Sequence, residues 1–238
     1  MAKERLDKLI ASTGRWSRRE VKTLVREGRV LVDGRIAGSA EEKYDAESCR
    51  IAVNGEELLL RRHTYVILHK PAGVLSATED GRGRTVLDLL TPELRKIGVF
   101  PVGRLDKDTE GLLLLTDDGE LAHTLLSPKK HVDKVYYARV SGRLTPEDCA
   151  AFEAGMTLGD GLECLPAGLE ILAAGETSEC LVTLREGKFH QVKRMLAARG
   201  KPVTYLKRLS MGSLRLDDTL APGEFRLLTA AEEAQLQR

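Results

Sequence analysis

The chain is poor in the residues that mark secreted, metal-stapled or membrane proteins. Its four cysteines, Cys49, Cys149, Cys164 and Cys180, form no C-x-x-C pair and no zinc-ligand spacing. A disulfide framework is therefore not expected, and the thiols read as those of a reduced, cytoplasmic protein. Long apolar runs are missing: nothing approaches the ~20 residues of a membrane span, and MAKERLDKLIAS has no signal-peptide core. Aromatic residues make up only 4% of the chain. Net charge is missing too. With 37 basic and 36 acidic residues the balance is +1, so bulk charge selects no partner.

The charge that is present is unevenly placed. Met1–Ile36 carries ten Lys/Arg against five Asp/Glu, and Arg185–Arg208 eight against one. Either stretch alone would pass for a solvated helix face; two in a neutral chain suggest a polyanion held at two places. Leu6–Ala11 has a short amphipathic helical pattern. Ser17-Arg-Arg-Glu20 is a capping box opening a second helix that closes near Gly28. Asp33-Gly34 and Asn54-Gly55 are hairpin signals. Residues 1–60 are thus expected to form a small domain of two helices and a little sheet, linked through Leu58–Thr64 to a larger domain of residues 61–238. There, strands are expected at Tyr65–His69, Val99–Val102, Leu112–Leu115, Lys134–Val140, Glu179–Leu184 and Leu214–Leu216. Helices are expected from Thr85 to Leu90, at Pro146–Gly155 and His190–Arg199, and after Thr229. Without regular βαβα alternation, this indicates an α+β fold on a mixed, largely antiparallel sheet with flanking helices.

One stretch poses a chemical question. Gly103–Gly119, GRLDKDTEGLLLLTDDG, sets five acidic residues around four leucines, although carboxylates beside a core strand are costly to desolvate. Asp106, Asp108, Glu110 and Gly111 fall on positions 1, 3, 5 and 6 of a calcium loop, with Asp117 on position 12. Position 9, however, is Leu114, position 12 is not Glu, and the flanks are strand-like, so no metal is expected. Asp117, Asp118 and Glu110 read as solvated turn residues. Asp106 follows a strand end next to core and needs a nearby cation to stay ionised. The basic stretch around Lys193 and Arg194 is the available source.

GRLDKDTEGLLLLTDDG resembles the defining motif of the RsuA-type pseudouridine synthases. RLDKLIA, SRREV and GRVLVDG resemble the S4 RNA-binding domain. VILHKPAG, KVYYARV, EGKFHQVKRMLAARG and LAPGEFRLLT are similar to the family's remaining motifs, in order, so the resemblance covers essentially the whole chain. It implies isomerisation of a uridine within RNA: the C1′–N1 bond breaks, the uracil turns, and C5 bonds to C1′, without cofactor or metal. Carried over residue by residue, it implies Asp106 as the essential carboxylate, Tyr136 as the active-site tyrosine and Lys193 as the basic partner. Asp106 would attack or stabilise C1′, or take a sugar proton. Lys193 would keep it ionised, and Tyr136 would pack on the detached uracil. Without the motif, Tyr136 reads as sheet core and Lys193 as a solvated lysine. The target must leave its base stack. Arg104 is placed to fill the gap, and Thr109, His190, Gln191 and Arg194 to line the substrate path. Arg5, Lys8, Arg18, Arg19, Lys22 and Arg26 would hold RNA through phosphates.

HQVKRM and LAPGEFRLLT look more like the family's small-subunit enzyme. The implied substrate and partner is 16S ribosomal RNA at uridine 516, in a small-subunit assembly particle, acted on by a monomer with no membrane association. A 23S uridine is the alternative substrate. Two rivals stand beside the enzyme reading. A non-catalytic S4-type assembly factor would not need Asp106, Tyr136 and Lys193 together. A carboxylate hydrolase is disfavoured because Asp106 and Asp108, in one strand-like segment, would point to opposite faces.

Overall fold

The computed structural model of the protein describes residues 3–46, 48–127 and 130–236. Internal contacts divide the chain into two units, residues 1–64 with 90–99, and residues 65–89 with 100–238.

In the first unit the two expected helices form, α1 (Leu6–Ala11) and α2 (Arg18–Arg26). The capping box is complete: Glu20 N donates to Ser17 Oγ at 3.3 Å and Ser17 N donates to the Glu20 carboxylate at 2.6 Å. Strands β1 (Glu4–Arg5) and β4 (Lys43–Tyr44) pair with each other. Strands β2 (Val30–Val32), β3 (Arg35–Ile36), β5 (Ile51–Val53) and β6 (Glu56–Glu57) make an antiparallel sheet in the order β3-β2-β5-β6. Asp33 and Asn54 adopt φ of 50° and 56° ahead of their glycines, the hairpin geometry those pairs favour. Leu6, Leu9 and Ile10 pack with Val21, Leu24, Val30 and Ile51 in one core. Helix α3 (Pro92–Ile97), absent from the sequence expectations, also belongs to this unit, capped by Thr91 and stopped by Gly98 at φ 86°.

The second unit is built on a nine-stranded sheet. Its strands are β7 (Tyr65–Lys70), β8 (Phe100–Pro101), β9 (Glu110–Thr116), β10 (Lys134–Ser141), β13 (Gly168–Ala173), β14 (Thr177–Leu184), β15 (Val203–Met211), β16 (Leu214–Arg215) and β17 (Phe225–Leu227); β11 (Met156–Thr157) and β12 (Glu163–Cys164) form a separate hairpin. The path runs β13-β14-β10-β15-β9-β7-β17, with β16 on β15 and β8 on β9. Every pairing is antiparallel except β15 with β9, which is parallel and only two residue pairs long, Lys207 with Glu110 and Arg208 with Gly111. The sheet is thus two antiparallel halves joined at a short seam. Leu112–Leu115 are all fully buried, the continuous apolar run of a strand covered on both faces. At the seam Gly111 has φ 104°, and a Cβ there would meet the Arg208 carbonyl oxygen at 2.2 Å. Arg208 Nε donates to the Leu112 carbonyl at 2.8 Å.

Helices α4 (Gly119–Leu126), α5 (Pro146–Ala154), α6 (Gln191–Ala198) and α7 (Ala230–Leu236) complete the unit. The mixed, largely antiparallel α+β architecture is as expected. Several local expectations are corrected. Val99–Val102 contributes only Phe100–Pro101 to a strand, and Val86–Leu89 is a 3-10 turn. Asp118 is no free turn residue: it caps α4, accepting from Leu121 N at 3.0 Å, and accepts from the Tyr65 hydroxyl at 2.7 Å. Among the described residues no helix is long and apolar enough to cross a membrane.

Candidate active site

The acidic motif does not run as a strand between Arg104 and Thr109. It is a loop closed by a turn in which Thr109 N donates to the Asp106 carbonyl at 3.1 Å. The loop is held from below by a lysine. Lys70, the last residue of β7, is fully buried, and its Nζ donates to the carbonyls of Pro71 (3.0 Å), Lys107 (3.3 Å) and Thr109 (2.9 Å). Burial pushes the Lys70 ammonium down to about 8, against the opposing pull of Asp108, Asp106 and Glu110. Ser76 pins the other side: its hydroxyl accepts from Leu105 N at 3.1 Å and donates to Leu105 O at 3.0 Å. Asp106 is therefore presented by a backbone fixed on both flanks.

The turn before α6 supplies the facing groups. Gln191 is buried; its amide donates to Glu186 Oε1 at 2.6 Å and its oxygen accepts from Lys188 N at 3.0 Å. This brace holds His190 in the left-handed region, φ 51°, where a residue with a side chain is strained. The His190 Nε2 consequently reaches Asp106 Oδ1 at 3.5 Å. One helical turn on, Lys193 Nζ lies 3.0 Å from Asp106 Oδ2 and 2.5 Å from Asp108 Oδ1. Burial lowers the Lys193 pKa, but hydrogen bonds to Asp108 and Asp106 outweigh it and hold the ammonium above its ordinary value. The same hydrogen bond from Lys193 holds the Asp108 carboxyl below the usual range.

Tyr136, on β10, is buried and forms a wall of a small open cleft with Leu184, Val192 and Leu206. Its enclosed part holds only about 70 Å³, less than the about 300–1,000 Å³ of pockets that bury a whole small molecule, so the cleft is largely open to solvent. Arg104, Leu105, Asp106, Thr109, His190 and Gln191 share the cleft. Thr109 is buried, and its hydroxyl has no hydrogen-bond partner among the described residues.

Asp106, Tyr136, Lys193, Arg104, Thr109, His190 and Gln191 are thus brought together. Arg194 is not among the cleft residues and instead pairs with Asp160 at 2.5 Å. Asp108 is corrected as well: exposed, yet bonded to the same ammonium as Asp106, so the two carboxylates do not diverge as a strand would require. Glu110 accepts from the Tyr205 hydroxyl at 2.7 Å and is no simple turn residue. Lys70 and Glu186 had no role assigned from sequence; a lysine ending an apolar strand directly before proline was the signal for the first. No group of three or more His, Cys, Asp or Glu side chains among the described residues could hold a metal ion.

The RNA pseudouridylate synthase family profile matches residues 64–198, and the S4 domain profile matches residues 4–48. The chain belongs to the RNA pseudouridylate synthase family. It is 50% identical to an uncharacterized RNA pseudouridine synthase of Bacillus subtilis (strain 168) over 96% of both chains. It is 40% identical to the ribosomal small subunit pseudouridine synthase A of Vibrio cholerae, over 98% of this chain and 99% of that one. The ribosomal large subunit pseudouridine synthase B of B. subtilis is 39% identical over 98% of this chain and 96% of that one. A crystal structure of a pseudouridylate synthase superposes with a TM-score of 0.68 at 35% identity, covering 98% and 99% of the two chains. Within its S4 domain this synthase spends two of the expected RNA-contacting cations internally. Asp7 is fully buried, and Arg5 and Arg18 both hydrogen-bond its carboxylate at 3.0–3.1 Å, keeping it below its usual pKa despite burial. Lys8 pairs with Glu4 at 2.7 Å and Lys22 with Glu41 at 3.4 Å. Arg19 and Arg26 stand exposed on α2.

Proposed function

We propose that this pseudouridine synthase isomerises uridine 516 of 16S ribosomal RNA, with Asp106 as the reacting carboxylate, Lys193 as its counter-cation and Tyr136 as the face against which the uracil turns. The observation that carries the catalytic roles is the contact of Lys193 with Asp106 at 3.0 Å on the floor of a cleft walled by Tyr136. A carboxylate in contact with a held ammonium suits attack on C1′, or stabilisation of positive charge there as the bond to N1 breaks. The uracil leaves with that electron pair, turns, and bonds through C5. The C5 proton is lost and N1 gains one, so nothing is consumed. Small- and large-subunit relatives are nearly equal in identity, 40% and 39%. The choice of 16S RNA therefore rests on HQVKRM and on the LAPGEFRLLT tail.

The test uses wild type and Asp106→Asn with 16S and 23S transcripts and deproteinised small-subunit particles, mapping pseudouridine by carbodiimide labelling and reverse-transcription stops. One stop at uridine 516, absent with Asp106→Asn although RNA is still bound, is the expected result. A stop in 23S RNA overturns the substrate. Binding with no stop on any RNA favours an assembly factor.

A further inference from the structure

Phe189 is 75% exposed in a chain with little aromatic content to spare. Single exposed apolar residues are common on protein surfaces, so exposure alone decides nothing. Its neighbours decide. The phenyl ring lies on the His190 imidazole, centroids 3.8 Å apart and planes 17° from parallel. That imidazole is a wall of the cleft and turns its Nε2 toward Asp106 at 3.5 Å. The strained backbone of His190, braced by Gln191 and Glu186, fixes the imidazole on which Phe189 rests. Two flat rings thus form a short column that starts beside the candidate reacting carboxylate and ends in solvent with an open aromatic face. Arg104 stands exposed at the same cleft, its side chain without a partner among the described residues. Exposed aromatic faces and guanidinium planes are what proteins use to hold unstacked bases of single-stranded RNA.

We propose that the open face of Phe189 is a nucleobase subsite, stacking with the RNA base next to the isomerised uridine. The proposal rests on the reading of Asp106 as the reacting carboxylate. Flipping a uridine strips its neighbour of a stacking partner; Phe189 replaces that partner and offsets part of the cost. Because every base has a flat face, the subsite sets the register of the strand and not the identity of the neighbour.

Binding is measured on the Asp106→Asn background, so that chemistry does not intervene. The RNA is a short hairpin around the uridine found by mapping, intact or with an abasic site on one side or the other of the target. Phe189→Leu keeps an apolar side chain but removes the flat face, and should weaken binding of the intact hairpin roughly 10-fold, with Phe189→Trp restoring it. An abasic site at the contacted neighbour should cost a similar factor with Phe189 present and almost nothing with Phe189→Leu. Equal affinity of Phe189 and Phe189→Leu, or equal abasic penalties in both, overturns the subsite. In the otherwise wild-type enzyme, Phe189→Leu should raise KM more than it lowers kcat. The underlying reading fails separately, if Asp106→Asn still forms pseudouridine.

Discussion

Lys70 Nζ donates to the Thr109 carbonyl at 2.9 Å from a position with no solvent exposure at all. A charge is buried here to hold backbone. Lys70→Met would leave the carbonyls of Pro71, Lys107 and Thr109 short of donors and free the loop that presents Asp106. We expect kcat to fall about 100-fold while RNA affinity holds, since a misplacement near 1 Å costs on that order. Lys70→Arg should not rescue, because a fully buried guanidinium is bulkier and brings five donors to three carbonyls. Single-turnover rates with filter binding check this, and equal kcat in wild type and Lys70→Met would refute it.

The same lysine sets a pH dependence with two opposite signs. Its folded-state pKa of about 8 lies below the 10.5 of a free lysine. As pH rises, the folded chain releases this proton first, so the contribution to stability increases between about pH 8 and 10.5 and is least favourable below 8. Activity should move the other way. A neutral amine has two N–H groups for three carbonyls, so kcat should fall with an apparent pKa near 8. Urea midpoints of wild type relative to Lys70→Met, and the alkaline limb of kcat, are the two readouts.

Asp106 and Asp108 share one ammonium, and substitution should separate them. Asp108→Asn should stay within about threefold of wild-type kcat, because the exposed carboxylate only helps position Lys193. Lys193→Met should cost at least about 100-fold. Single-turnover rates of the two variants check this, and equal kcat in wild type and Lys193→Met would refute it.

Thr109→Val tests the orphaned hydroxyl. Removing a buried, unsatisfied donor should leave stability unchanged or raise it by about 1 kcal/mol. If the hydroxyl is there for substrate, kcat/KM should nevertheless fall about 10- to 100-fold. A loss of stability and activity in parallel would make the hydroxyl structural.

In the S4 domain, Arg18 and Arg19 are neighbours with different work. Arg18→Ala removes a partner of buried Asp7 and should destabilise the domain by roughly 1 kcal/mol, Arg5 and solvent softening the loss. Arg19→Ala should leave stability alone and reduce the salt dependence of RNA binding by about one unit of slope. Thermal melts and salt titrations distinguish them.

Local signals carried the S4 domain almost whole, because its capping box and Asp-Gly and Asn-Gly hairpins act within a few residues. The larger domain was less legible. Strand β15 passes through Lys207 and Arg208, whose charge hides a central strand; Arg208 is buried by bonding to the Leu112 carbonyl, a partner set by tertiary packing. Helix α4 was missed because Asp-Asp-Gly is a turn signal and an N-cap signal alike, and only the following ELAHTLL decides. Thr91-Pro92 and Gly98 bracket α3 with ordinary cap chemistry, so that helix is legible in the sequence. In the site, Asp106, Tyr136 and Lys193, which the motif singles out, lie together, but pairing of Asp108 with Lys193 depends on a loop where a strand was expected. The bracing roles of Lys70 and Glu186 involve backbone partners that no side-chain pattern displays.

The parallel seam between β9 and β15 has a consequence for how the enzyme is made. Asp106 belongs to one half of the sheet, while Tyr136 and Lys193 belong to the other, and the Lys193–Asp108 contact closes over 85 residues of chain. Apart from β17, which returns from Phe225 to pair with Leu68 of β7, each half gains its antiparallel ladders from shorter-range pairings, and the seam adds only two more residue pairs. Loop-closure entropy therefore puts Asp106 and Lys193 among the last groups to meet. During refolding, ladder formation should lead and catalysis should lag behind it. A chain stalled with both halves formed but undocked would be well ordered by backbone measures and still chemically silent.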